Sequence, residues 1–205
     1  MSTDTSKLML SAGEMQLVTN ADWILTKRVI IDKVNQLLGN LSVAFRQQVI
    51  KEQDHLPQAV TASTPKIAKG ENYRQLPYVL LDYPRCFDKE NVFAVRTMFW
   101  WGNFFSCTLH LSGRYKTMFE HAIGANLTAL NGTALYICVN KEEWEHHFET
   151  ENYLAVDKLS PAEITAIISK QHFIKMAAKF SLHRWSEMDA LLEKTFSDIL
   201  QLLKH

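Results

Sequence analysis

Arg96-Thr97-Met98-Phe99-Trp100-Trp101-Gly102-Asn103-Phe104-Phe105-Ser106-Cys107-Thr108-Leu109-His110-Leu111-Ser112-Gly113 is the stretch on which the fold turns. Two runs of β-branched and aromatic residues, Val92 to Trp101 and Phe104 to Ser112, flank Gly102-Asn103. Such a pair suits a two-residue hairpin loop, the length that primed turns favour. That loop predicts Trp101 opposite Phe104, with pairing running outward. One face of the hairpin then carries Ala94, Arg96, Met98 and Trp100 with Phe105, Cys107, Leu109 and Leu111. It is a core face interrupted by a single guanidinium. The other face grades from an aromatic end (Phe99, Trp101, Phe104) to a polar end (Thr97, Thr108, His110). Either helices cover both faces, or the mixed face lines a pocket or a subunit interface, since both are apolar surfaces with a few placed polar groups.

Working outward, Tyr78 to Tyr83 reads as a strand bracketed by Pro77 and Pro84, Ala134 to Val139 as another, and Tyr153 to Val156 as a short edge strand. After Gly113, the spacing of Phe119, Ile123, Leu127 and Leu130 predicts a helix that stops at Asn131-Gly132. Residues 1–19 read as a loose N-terminus, and 20–52 as helical, capped by Asn20 and divided at Gly39-Asn40. Residues 53–70 read as a long connection, 71–156 as the sheet region and 160–205 as C-terminal helices. Ser160-Pro161-Ala162-Glu163 is a capping box opening a helix to about Ala178. Ser181 caps the last helix, whose stripe is Trp185, Leu192, Phe196, Ile199 and Leu203. This order predicts a single α+β domain: a central antiparallel sheet of four to five strands packed by N- and C-terminal helices.

A chain of 205 residues with 47% apolar and 21% charged side chains resembles an ordinary globular protein. Its 22 basic residues balance 22 acidic ones, which argues against nucleic acid as a partner. The first residues lack a signal peptide's charge and apolar core, and no run is long enough for a membrane helix. Cys86, Cys107 and Cys138 are odd in number and far apart, so they read as reduced thiols in a cytoplasmic protein.

Motifs for phosphate loops, dinucleotides, nucleophile elbows and zinc modules are missing from the sequence. What remains are isolated candidates. Lys66 to Arg85 mixes Lys66, Lys69, Arg74 and Arg85 with Tyr73, Tyr78 and Tyr83, and reads as a solvated loop or as one closing over an anion, with Gly70 supplying a turn. Asp82 ends an apolar strand, and Arg96, which cannot lose its charge when buried, is its expected partner. Lys141 to Phe148 reads as a short helix or turn; if helical, it would place Glu142 with His146, and Glu143 with His147, on shared faces, but two ligands are too few for a metal site, so no metal or cofactor is expected. The expected function is a non-catalytic ligand-binding or interaction module. Arg85, Arg96, Tyr73, Trp101, Thr108 and His110 would contact a small anionic molecule, or the aromatic hairpin face would form a homodimer. The alternative is a small hydrolase or transferase with Asp82 and His110 as acid and base.

Overall fold

The computed structural model describes residues 8–127 and 134–204. Its order is α1 (Ala12–Thr19), α2 (Ala21–Lys51), α3 (Gln58–Thr61), β1 (Lys66–Tyr73), β2 (Leu76–Phe87), β3 (Val92–Trp100), β4 (Phe104–Ser112), α4 (Arg114–Asn126), β5 (Tyr136–Cys138), β6 (Tyr153–Ala155), α5 (Pro161–Lys170), β7 (Phe173–Ser181) and α6 (Met188–Leu202). Seven strands, rather than four to five, form one antiparallel sheet in the order β1-β2-β3-β4-β7-β5-β6. The α+β class stands. The additional strands are β1, expected within the connection, and β7, expected within a helix.

The central hairpin has a three-residue loop. Trp100 pairs with Phe104 and Phe99 with Phe105, and Gly102 takes the left-handed conformation at φ 71°. A shift of one residue turns every side chain of β4 to the opposite face. Phe93, Val95, Thr97 and Phe99 now share a face with Phe105, Cys107, Leu109 and Leu111, and all are buried. The other face gathers Arg96 with Thr108 and His110. Thus the core face is apolar except for Thr97, whose buried hydroxyl donates to Cys107 Sγ at 3.9 Å, and the charged groups are collected on the reverse.

Helices cover the apolar face. Asn20 caps α2 by accepting from the N–H groups of Asp22 and Trp23. The helix then buries Val34, Leu38, Leu41, Phe45 and Val49 at three- and four-residue spacing. Gly39 does not divide it: a mid-helix glycine costs about 1 kcal/mol, which packing on both sides outweighs. Phe45 stacks on Phe196 of α6 at 3.9 Å between ring centroids. Trp185 packs edge-on to Phe99 and Phe105, so Phe99 is interior, while Phe104 turns to the opposite face beside Trp100; the aromatic surface expected to offer a pocket or a homodimer contact is not assembled as one face.

Three further expectations change. Ala12–Thr19, placed in a loose N-terminus, is helical, with Ser11 and Glu14 forming a reciprocal capping box. Lys66 to Arg85 is mostly the β1–β2 hairpin, turned by Arg74 and Gln75 at φ 48° and 66°. Gly70 supplies room rather than a turn: a Cβ there would meet the Tyr78 ring at 2.5 Å. The capping box at Ser160 and Glu163 forms as expected, but its helix stops at Lys170 and residues 173–181 are a strand. The expected stop at Asn131-Gly132 lies outside the described residues.

Candidate functional site

The polar face of the sheet is roofed by the segment from Asn140 to Glu149, which is turn and coil, not helix. Its floor is set by register. Asp82 pairs with Arg96, Arg96 with Thr108, and Ala94 with His110, which in turn stands opposite Lys175 of β7. Four strands therefore place Asp82, Arg96, Thr108, His110 and Lys175 side by side.

Arg96 meets Asp82 in a two-pronged ion pair, Nε to Oδ1 and Nη2 to Oδ2, both at 2.8 Å. The pair expected from the sequence is present. Both oxygens of Asp82 are thereby engaged. The third guanidinium nitrogen, Nη1, donates to Nε2 of His146 at 3.2 Å. Guanidinium only donates, so that ring nitrogen carries no proton. Burial, with Lys175 and Arg96 nearby, holds His146 well below the usual histidine range.

His110 Nε2 lies 3.1 Å from Glu143 Oε2; an ionised carboxylate only accepts, so here the ring nitrogen donates. Burial first, then Lys175 and Arg96, lower the His110 pKa to about 3. The Trp144 ring stands edge-on to His110 at 5.1 Å and 5.8 Å from the Arg96 guanidinium, which makes it the outer wall.

Lys175 is only 2% exposed. Its ammonium donates to the backbone carbonyl of Glu143 at 2.8 Å and to that of Glu145. Neither acceptor carries a formal charge, and burial lowers the lysine to about 8. Tyr73 pins the roof from the side: its hydroxyl accepts from the N–H groups of His146 (2.7 Å) and His147 (3.0 Å) and donates to Glu145 (2.8 Å). Between roof and floor, a cavity of about 10 Å³ touches Arg96, Thr108, His110, Trp144, His146 and Lys175. That is close to the room one water molecule needs. Wider depressions of about 340, 400 and 460 Å³ lie elsewhere, lined mostly by exposed or half-buried side chains.

Of the residues singled out in the sequence, Asp82, Arg96, Thr108 and His110 converge here, and Tyr73 holds the roof. Trp101 does not join them; it packs edge-on to Phe99 on the helix-covered face. Arg85 turns away to the Thr64 carbonyl at 3.2 Å, beyond the register shift that follows Asp82. Sequence reasoning missed Lys175, Glu143, Trp144 and His146 as members of one site. The expected face-sharing of Glu142 with His146 and of Glu143 with His147 fails because the segment is not helical. Instead, among the described residues, ligand atoms of His147, Glu149 and Glu151 come within 4.8 Å of one another. Glu149 and Glu151 are exposed, and Glu149 already holds Arg74 at 3.4 Å.

All three cysteines are free, and burial pushes the Cys107 thiol up to about 12, far from a nucleophile's range. No described helix is long and apolar enough to cross a membrane. No protein-family model, curated protein or solved structure matches this chain.

Proposed function

We propose that the chain is a non-catalytic binding module for a small ligand bearing a carboxylate or phosphate, received on the polar floor beneath the 140–149 roof. One observation carries this reading. On the floor, the carboxylate of Asp82 is spent on Arg96, and the counter-charge nearest His110 and Lys175 is lent by the roof. Glu143 sets its carboxylate on His110 and its carbonyl on Lys175. The roof thus occupies the position of an anion. A ligand oxyanion that displaced it would find an ammonium, an imidazole N–H and the Thr108 hydroxyl on a preformed, rigid sheet. The closed cavity is too small for such a ligand, so binding requires the roof to lift.

Acid–base catalysis is less well supported. Asp82 has no free oxygen, and His110 binds a proton too weakly to act as a base near neutrality. The test is calorimetric titration of the wild type, Glu143→Gln and Lys175→Met with inorganic phosphate and with succinate. Glu143→Gln weakens the roof's hold and should bind one of these anions more tightly than wild type; Lys175→Met should lose it. Heats indistinguishable from dilution in both wild type and Glu143→Gln at millimolar anion would overturn the reading.

A further inference from the structure

Every residue from Leu8 to Thr26 is exposed, α1 buries nothing, and the core contacts of α2 begin at Ile31. Yet this arm is apolar. Ten of the eighteen large apolar side chains that stand exposed among the described residues lie between Leu8 and Val29, at 46–86% exposure. They include Leu17, Val18, Trp23, Leu25 and Val29. With a large side chain presenting up to roughly 200 Å², their exposed surface is about 1,000 Å² per chain, above the ~800 Å² per partner of a standard interface.

Charge chooses the occupant. From Leu8 to Ile24 the arm carries Glu14 and Asp22 and no base; from Leu25 to Lys33 it carries Lys27, Arg28 and Lys33 against Asp32. Lys27 is already held by Glu71 at 2.8 Å, which leaves Arg28 and Lys33 facing outward options. A helix acidic at its start and basic further along is complementary to a second copy running antiparallel, and repels a copy running parallel. A two-fold axis perpendicular to the helices produces this antiparallel pairing.

We propose that this arm docks a second copy of the chain about a two-fold axis, with the first three turns of the two α2 helices antiparallel and each Asp22 near the other copy's Arg28. The inference is independent of the anion site, since no residue of the arm touches it. Light scattering of the full chain across a concentration series should give twice 23.6 kDa. Leu25→Glu with Val29→Glu should return the monomer mass and should unfold at the midpoint that wild type shows when diluted to monomer, because in the single chain both side chains are already exposed. Asp22→Lys and Arg28→Glu should each weaken the dimer at least tenfold, and combining them should restore it. A wild type that is monomeric at every concentration overturns the proposal, as does a monomer that cosediments with phosphatidylserine vesicles, which would assign the arm to a bilayer. A dimer that the double charge reversal weakens further than either single one overturns the antiparallel arrangement.

Discussion

Replacing Lys175 by methionine tests the electrostatics of the site directly. The ammonium is buried among Arg96, His146, Cys138, Tyr153, Glu143 and Glu145, and burial is the main reason its pKa falls from 10.5 to about 8. At 1.36 kcal/mol per pH unit, that displacement means the charge costs the fold about 3 kcal/mol. Below pH 8 both folded and unfolded chains hold the proton, and the whole cost is present. Between pH 8 and 10.5 the unfolded chain binds more protons than the folded one, so stability rises with pH; above 10.5 the cost is gone. Methionine removes the charge but leaves two roof carbonyls without their donor, a loss of about 1 kcal/mol each. Lys175→Met should therefore be slightly more stable than wild type at pH 7, by about 1 kcal/mol. The wild type should overtake it by pH 10. Urea denaturation of both proteins at pH 7, 8.5 and 10 measures the difference, and titrations common to both cancel. A difference that stays constant across this range would refute the burial argument. So would a loss of 3 kcal/mol or more at pH 7, which would mean that the ammonium is well compensated.

The other predictions concern the same face and its support. His110 has a lowered pKa, so its contribution is intact above pH 6.5 and stability is lost as pH falls toward 3; by pH 4 the wild type should lose about 3 kcal/mol that His110→Gln does not, read from urea midpoints. Asp82→Asn and Arg96→Met should each cost about 3–5 kcal/mol, and the double variant less than their sum; a coupling energy near zero would show that the ion pair does not hold the strands. Phe196→Ala should cost about 3–5 kcal/mol in denaturant, because the ring is fully buried against Phe45; an unmoved midpoint would mean that α6 is not docked.

How much of this was legible beforehand follows from the range of the interaction involved. The capping box at Ser160 and the N-cap at Asn20 are encoded within a few residues, and each formed where the sequence placed it. The Asp82–Arg96 pair was legible because two charges interrupted two apolar strands adjacent in the chain. The hairpin register was not, because Gly102-Asn103 serves a two- or a three-residue loop, and nothing local separates them. That single residue had a large consequence. In the assumed register Arg96 and His110 lay on opposite faces, and no site could be assembled; in the observed register they share one.

The deeper obstacle was β7. Phe173-Ile174-Lys175-Met176-Ala177-Ala178-Lys179-Phe180 follows a strong helix start and is rich in lysine, methionine and alanine, all good helix formers. Only its alternation betrays a strand: Ile174, Met176 and Ala178 face the helices, while Lys175, Ala177 and the exposed Lys179, whose ammonium lies over the Tyr136 and Phe148 rings, face the roof side. Position in the sheet overrides the local preference, because β7 fills the gap between β4 and β5 and pairs with β4 along its whole length. A lysine on such a strand reads as solvent-facing until the strand is known to be central. The roof is less legible still, since Glu143 reaches His110 and His146 reaches Arg96 across 33 and 50 residues of chain, through contacts that no period in the segment encodes. The site is the product of two long-range events, the insertion of β7 and the folding of an irregular segment over it. The segment is fixed by Tyr73 and by the very lysine it covers, so removing Lys175 should loosen the roof as well as discharge the floor.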